Sequence, residues 1–207
     1  MRKRLMSSCF AVLCFILSSN AFAAFGSNGA SSSPVFFSAG AGMSMGTLAA
    51  SNLNLDSRSM VVYGLNSDLG MRFGSLKVGL GVDYSFWMQL KDPADLGGTN
   101  AQGKEFSLGP VLGYDFGIFN LNVRYNLSSK YTLDKADSSG NKVAFSSPEA
   151  SFAVDVKIPF KSGTPYIGLH YKSVKYGKMD VGGTESELAS GNELKTSSYG
   201  ASIGFAF

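Results

Sequence analysis

The stretch from Leu194 to Phe207 alternates without interruption between two kinds of side chain. One parity is apolar and carries Tyr199, Ala201, Ile203, Phe205 and Phe207. The other is small or polar and carries Ser198, Gly200, Ser202, Gly204 and Ala206. A period of two over this length predicts a β-strand with one apolar face. Because an apolar strand at a sheet edge promotes aggregation, whereas a closed barrel has no edge, the pattern favours a closed barrel.

The same alternation recurs along the chain and predicts eight strands. They cover about residues 35–45, 60–73, 76–88, 105–116, 119–127 (with an extension to 133 left open), 149–160, 165–174 and 194–207. Long polar connections at about 47–57, 91–104, 134–147 and 177–193 alternate with short turns at 74–75, 117–118 and 161–164. This rhythm predicts an all-β fold, an eight-stranded antiparallel up-and-down transmembrane β-barrel whose first and last strands both end on the side of the short turns.

The first residues have the features of a secretory signal peptide. A basic start at residues 2–4 precedes an apolar run at 9–17, and Ala21 and Ala23 form an A-x-A cleavage site. We therefore expect residues 1–23 to be removed, 24–33 to form a short periplasmic lead and 34–207 to form the barrel. Both cysteines lie in the signal peptide, so we expect no disulfide in the mature chain.

The charge balance argues against a nucleic-acid partner. The chain has 18 basic and 15 acidic residues, and removing the three basic residues at positions 2–4 leaves 15 of each. A mature chain near neutrality lacks the basic footprint of nucleic-acid binding. Beyond the signal peptide, no apolar run reaches the roughly 18 residues of a membrane helix.

Charged residues within the predicted strands share the parity opposite to the apolar one. An Arg or Lys on the lipid face near the midplane costs about 2–4 kcal/mol, whereas pairing inside a barrel offsets desolvation. We therefore predict a polar network in the lumen, which also takes in the one histidine. Its members are Asp68, Arg72, Lys77, Asp83, Asp115, Arg124, Glu149, Asp155, Lys157, His170 and Lys172.

Glycines and aromatic residues are distributed as a narrow barrel requires. Most strand glycines share the inward parity, where they make room for longer side chains. Aromatic residues form two groups, which we predict to be belts at two membrane interfaces. The group near the short turns is Phe73, Phe116, Phe119, Phe160, Tyr166 and Phe207, and the group near the loops is Tyr63, Tyr84, Phe86, Trp87, Phe106, Tyr125 and Tyr171. A soluble lipocalin-like barrel with an apolar lumen remains an alternative, since parity alone does not say which face is inside.

The loops carry acidic residues that could bind a divalent cation, at Asp92, Asp95, Glu185, Glu187 and Glu193. Their spacing differs from that of an EF-hand, and solvated loop charge is the preferred interpretation. We expect no cofactor and no metal ion.

The whole mature chain resembles the small eight-stranded bacterial outer-membrane β-barrels of the OmpA, OmpX and OmpW type. The resemblance implies a place in the outer membrane of a Gram-negative bacterium, with both termini periplasmic. It implies that Tyr199, Ile203, Phe205 and Phe207 form the signature read by the barrel-assembly machinery. The implied partners are outer-membrane lipid, lipopolysaccharide and an extracellular ligand on the loops.

The resemblance leaves three functions open. The preferred one is a non-enzymatic barrel with a filled, charge-paired lumen and a structural or surface-interaction role through four loops. The alternative is a narrow, porin-like conduit for small or hydrophobic solutes, as in the OmpW type. An enzyme is disfavoured, because lipid A hydrolases of this architecture place a serine two residues from the histidine, where this chain has Lys172 after His170.

Overall fold

A computed structural model describes residues 34–53, 57–89, 101–134, 139–160 and 165–207, and within β7 it leaves the side chains of 147–150 undescribed. The predicted signal peptide with Ala21 and Ala23, the lead at 24–33, the acidic pair Asp92 and Asp95, and the turn at 161–164 lie outside these residues. Within the described ranges, no helix is long and apolar enough to cross a membrane.

Antiparallel strands make up 81% of the described chain. They are β1 (Val35–Ser51), β2 (Arg58–Phe73), β3 (Leu76–Gln89), β4 (Gly103–Asp115), β5 (Asn120–Tyr125), β6 (Ser128–Leu133), β7 (Val143–Pro159), β8 (Pro165–Val181), β9 (Thr184–Glu187) and β10 (Glu193–Ala206). β5 and β6 both pair with β4 and β7, so together they form one wall segment. β9 pairs with β8 and forms a short hairpin outside the ring.

The ring closes where β1 pairs with β10, from Ser38 opposite Ala206 to Ser51 opposite Glu193. Beyond this ladder, Phe37 and Phe207 exchange both backbone hydrogen bonds, at 3.2 and 2.8 Å. The predicted eight-stranded barrel is therefore confirmed.

We call the end of the barrel with the short connections the turn end, and the opposite end the loop end. At the loop end the strands run further than predicted. β7 begins at Val143 and pairs there with Val181 of β8, within segments that we predicted to be loops. Polar residues suggested loops in both places, but these residues occupy one face of the strands. On the other face Phe145 and Met179 pack against buried apolar residues inside the barrel.

The predicted fifth strand is interrupted by a β-bulge. On β4 two residues separate Leu108 from Val111, whereas three residues separate their partners Ser128 and Arg124. The extra residue splits this wall segment into β5 and β6, as bulges do. The neighbouring strand β7 has its own register shift between positions 148 and 150.

Apolar side chains cover the outside of the barrel along its middle. Their exposed fractions are 57% for Leu65, 57% for Leu69, 60% for Leu80, 57% for Leu112, 59% for Leu169 and 68% for Ile203. Such a continuous apolar surface is more than a monomeric water-soluble protein normally exposes. The strand positions that carry the charged residues face inward, as predicted. The middle of the barrel therefore does not have the apolar lumen of a lipocalin.

Candidate functional site

The centre of the lumen is a guanidinium shared by two carboxylates. Arg124 on β5 donates from Nη2 to Asp68 Oδ1 of β2 at 2.5 Å, and from Nη1 to Asp83 of β3. The Arg124 and Asp68 side chains are 1% and 0% exposed. Charge-assisted hydrogen bonds of this kind are strong, and in the interior they are needed to offset the desolvation of the charges.

The second carboxylate oxygen of Asp68 is also saturated. It accepts hydrogen bonds from Lys157 Nζ at 2.7 Å, Ser38 Oγ at 3.1 Å and Asn122 Nδ2 at 3.2 Å. Lys157 donates as well to Ser38 Oγ at 2.8 Å, and its Nζ lies 5.3 Å from the centre of the Tyr166 ring. The predicted residues Asp68, Arg124 and Lys157 therefore form one connected network.

Two further pairs lie nearer the loop end. Lys172 Nζ is 2.8 Å from Glu105 Oε1, with side chains 4% and 0% exposed. His170 Nδ1 is 2.8 Å from Asp155 Oδ1, so the histidine belongs to the polar network as predicted. Glu105 is a lumen residue absent from the predicted network, because a charged residue at the start of a strand resembles the end of a polar loop. Its inward parity, shared with Ser107, was the signal that could have placed it.

At the turn end the network becomes more exposed. Lys77 donates to Asn120 Oδ1 and lies 3.8 Å from Asp115 Oδ2, while Arg72 lies opposite Lys77 in the β2–β3 ladder. The side chain of Glu149, which we predicted to face the lumen, lies outside the described residues. From the turn end up to the Lys172–Glu105 pair, the described inward positions carry equal numbers of acids and bases. They are Asp68, Asp83, Glu105, Asp115 and Asp155 against Arg72, Lys77, Arg124, Lys157 and Lys172.

Beside the two bulges, neutral polar groups fill the lumen. Asn126 Nδ2 donates to Ser151 Oγ at 2.8 Å, and Ser129 Oγ donates to Ser107 Oγ at 2.9 Å. All four side chains are at most 1% exposed. The bulge positions thus contribute short hydrogen-bonding side chains where the wall is irregular.

The loop-end part of the lumen is apolar, which the sequence analysis did not predict. Trp87 packs edge-on against Tyr131 with ring centres 5.9 Å apart, and the Tyr131 hydroxyl donates to the carbonyl of Ala101 at 2.5 Å. We call this group the loop-end cluster. Its members are Leu48, Met60, Val62, Trp87, Ala101, Tyr131, Leu133, Phe145, Val174, Tyr176 and Leu194.

Two aromatic residues were wrongly assigned to the outer belts. Trp87 is 1% exposed inside the loop-end cluster, and Tyr166 is 2% exposed beside Lys157. Both have the inward parity of their strands, so parity was the signal that could have placed them. Aromatic character alone does not distinguish a belt from a lumen, because a large ring also fills space in a packed interior.

A small cavity borders both the polar network and the loop-end cluster. Its volume is about 40 Å³, and its lining includes Gly64, Asn66, Asp83, His170 and Ser198. This is room for about three water molecules. The site can therefore hold solvent on polar partners, but a drug-sized ligand needs at least about 300 Å³.

The residues of the predicted assembly signature lie on the outer surface of β10. Tyr199, Ile203 and Phe205 point outward and are 65%, 68% and 58% exposed. Phe207 is partly buried at the turn end, where its backbone pairs with Phe37. Recognition of these residues by an assembly machinery stays a prediction.

Solved structures share this architecture. Neisserial surface protein A is 16% identical, with 84% of this chain and 98% of that chain covered and a TM-score of 0.51. Ail, the attachment invasion locus protein of Yersinia pestis, is 12% identical, with 84% of this chain and 100% of that chain covered and a TM-score of 0.52. The chain has the fold of the small eight-stranded outer-membrane β-barrels. No protein-family model and no curated protein matches the sequence.

Proposed function

We propose that this protein is a non-enzymatic outer-membrane barrel with a sealed lumen, which presents its four long connections at the cell surface. Both ends of the barrel chain would then be periplasmic, because β1 and β10 reach the turn end together. The role is structural or one of surface interaction. Neither role requires a chemical reaction of the lumen residues.

The observation that carries this proposal is the loop-end cluster. Leu48, Met60, Tyr131 and Leu194 are 0% exposed and Trp87 is 1% exposed, so these side chains are in contact across the lumen. A solute passing along the barrel axis would have to displace a packed apolar core, which costs several kcal/mol for each large side chain. This favours a sealed barrel over the narrow conduit.

The ion pairs below the cluster support the same conclusion. A water-filled channel leaves its charges solvated, whereas Arg124, Asp68 and Lys157 are at most 3% exposed and bond to one another. His170 is held by Asp155 within this network. We therefore interpret the ion pairs and the His170–Asp155 pair as structural groups. They are neither a transport path nor a catalytic site.

The test is a gel-mobility and conductance experiment on one preparation of the protein. We expect the unboiled protein to migrate differently from the boiled protein, to be recovered in the outer-membrane fraction, and to give no steady conductance in planar bilayers. A porin reconstituted in the same way serves as the positive control. Steady single-channel steps would promote the conduit, and an unshifted protein recovered in the soluble periplasm would replace this proposal with a soluble ligand carrier.

A further inference from the structure

Two methionines lie in one row of the sheet on the outer surface near the loop end. Met45 on β1 and Met88 on β3 both pair with Val61 of β2, one on each side of it. Their side chains are 43% and 48% exposed. Met60, the neighbour of Val61 along β2, points inward instead and is 0% exposed in the loop-end cluster. We call Met45 and Met88 the methionine pair, and it takes no part in the packing of the lumen.

The methionine pair lies at the loop-end boundary of the apolar surface. On β3, Met88 lies two residues nearer the loop end than Phe86, which is opposite Lys104 of β4. The Lys104 ammonium is 5.9 Å from the centre of the Phe86 ring, and the lysine side chain is 50% exposed. On β1 the next outward residue beyond Met45 is Thr47. Charged and hydroxyl-bearing side chains are tolerated on the outside of a membrane barrel near the interfaces, so both sulfurs lie within reach of reagents dissolved in water.

Two other exposed methionines of the described chain lie deeper in the apolar surface. Met43 is one outward position further from the loop end on β1 than Met45, and it is 59% exposed. Met71 lies near the turn end and is 50% exposed, and the next outward residue beyond it is the apolar Phe73. The hydrocarbon chains of a bilayer would cover Met43 and Met71. These two residues have the same side chain as the pair and at least its exposure, but a different depth.

A thioether at such a boundary reacts readily with an N-chloramine, the oxidant class formed from an amine and hypochlorous acid. The sulfur lone pair takes the chlorine, and the oxygen of a water molecule then displaces it as chloride. The amine nitrogen takes both protons of that water and leaves as an ammonium ion. The sulfur is thus oxidised by two electrons to a sulfoxide, and the nitrogen–chlorine bond is reduced.

The position of the sulfur determines what this oxidation costs the barrel. A methionine sulfoxide is polar, so water at the boundary can solvate it at Met45 and Met88. A sulfoxide at Met60 would be a buried polar group inside an apolar cluster, which is unfavourable. Both cysteines lie in the predicted signal peptide, so we expect no thiol of the mature chain to compete for the oxidant.

We propose that the methionine pair is an oxidant-consuming site, at which N-chloramines from the loop-end side are reduced while Met45 and Met88 become sulfoxides. Each sulfur consumes one molecule of oxidant. The barrel stays folded, because neither side chain belongs to the lumen network or to the loop-end cluster. The inference rests on the proposed place of the barrel in the outer membrane, which sets the depth of each sulfur.

Site-resolved mass spectrometry tests the proposal on the protein in phosphatidylcholine discs held by a styrene–maleic acid copolymer. Such discs leave both faces of the bilayer open and contain no other protein. N-chlorotaurine is added in a limiting amount, and the gain of an oxygen atom is followed at each methionine. We expect both members of the pair to be oxidised at least about tenfold faster than Met60, and the sulfurs of Met43 and Met71 to react more slowly than the pair as well.

Two variants separate the pair from the other exposed sulfurs. Met45→Leu with Met88→Leu removes the site and keeps its apolar volume, and Met43→Leu with Met71→Leu is the matched control. We expect the first variant to lose most of the rapid phase of N-chlorotaurine consumption and the control to keep it. Equal losses in the two variants, an unchanged rapid phase in the first, or oxidation of Met60 as fast as that of the pair would overturn the site.

The heat-dependent gel shift is recorded before and after oxidation. A protein that shows no shift before oxidation would refute the outer-membrane barrel, and the depth argument with it. A shifted barrel whose exposed methionines all react alike would refute the oxidant site alone. Loss of the shift when only the pair has been oxidised would also overturn the proposal, since the barrel would then not tolerate the reaction.

Discussion

At the scale of single residues, Arg124 determines how the lumen is held together. It comes from β5 and bonds to carboxylates from β2 and β3, so one side chain connects strands that are not neighbours in the barrel wall. A buried ion pair is not inherently more stabilising than an apolar contact of the same volume. Removing one partner is costly, however, because it leaves the other charge buried without compensation.

We predict that Arg124→Met lowers the free energy of unfolding by about 3–5 kcal/mol, because Asp83 then loses the buried cation to which it bonds and Asp68 keeps only Lys157. Urea titration of the protein refolded in phosphatidylcholine vesicles measures the change. The control is Lys130→Met, which removes an exposed cation 3.7 Å from Asp180 and should change stability by less than about 1 kcal/mol. Equal stability of Arg124→Met and the wild type would contradict the structural role of the network.

At the scale of elements, the two halves of each long strand meet different surroundings. From the turn end to the middle of β3 the inward positions are Lys77, Gly79, Gly81 and Asp83, whereas near the loop end Trp87 points inward. Near the loop end the neighbouring strands β4 and β6 carry Lys104 and Lys130 on the outside. At this part of the wall the cluster lies inside and the charges of β4 and β6 lie outside, as in a water-soluble barrel.

We predict that Trp87→Ala lowers the free energy of unfolding by about 3–5 kcal/mol, because it leaves a large void in the loop-end cluster. Phe86→Ala is the matched control, since the neighbouring residue on β3 points outward and is 40% exposed. Urea titration in vesicles should show the larger loss for Trp87. If Phe86→Ala cost as much or more, the cluster would not be the stabilising core that its burial indicates.

The strand count and most of the lumen network could be predicted, because alternation with a period of two is a local signal. The side-chain contacts across the lumen could not be predicted. Nothing in the sequence says that Lys172 meets Glu105 or that Arg124 reaches across to Asp68, since these contacts depend on register and on the curvature of the wall. The loop-end cluster was missed because residues such as Leu48 and Tyr131 were read as parts of polar connections or strand ends.

At the scale of the whole molecule, the lumen has two unlike sides. Small residues line the side formed by β10, β1, β2 and part of β3, and long side chains extend toward it from β5, β7 and β8. At Gly81 an added methyl group would overlap the guanidinium of Arg124 and the carboxylate of Asp68. At Gly64, which borders the small cavity, the nearest heavy atom to such a methyl would be 3.8 Å away.

We predict that Gly81→Ala destabilises the barrel by about 1–3 kcal/mol through overpacking, whereas Gly64→Ala leaves it as stable as the wild type or slightly more so. Both changes add one methyl group to an inward strand position, so each serves as the control for the other. Samples of each variant are heated to a series of temperatures before they are loaded on the gel. The temperature at which half of the protein has changed its mobility compares the stabilities directly. The reverse order of stabilities would mean that the lumen is not packed as described.

The closure of the ring has a consequence for how the protein comes to be made. The hydrogen-bonding groups on one edge of β1 pair with β10. Ser38 therefore cannot pair until Ala206, at the other end of the barrel sequence, has been made and has reached it. Contacts between such distant parts of a chain form slowly. Until the final strand arrives, the first strand presents an open edge that could pair with a neighbouring molecule. We therefore expect the newly made chain to require a chaperone that covers this edge of β1 before the barrel folds. The chaperone should dissociate only when β10 pairs with β1.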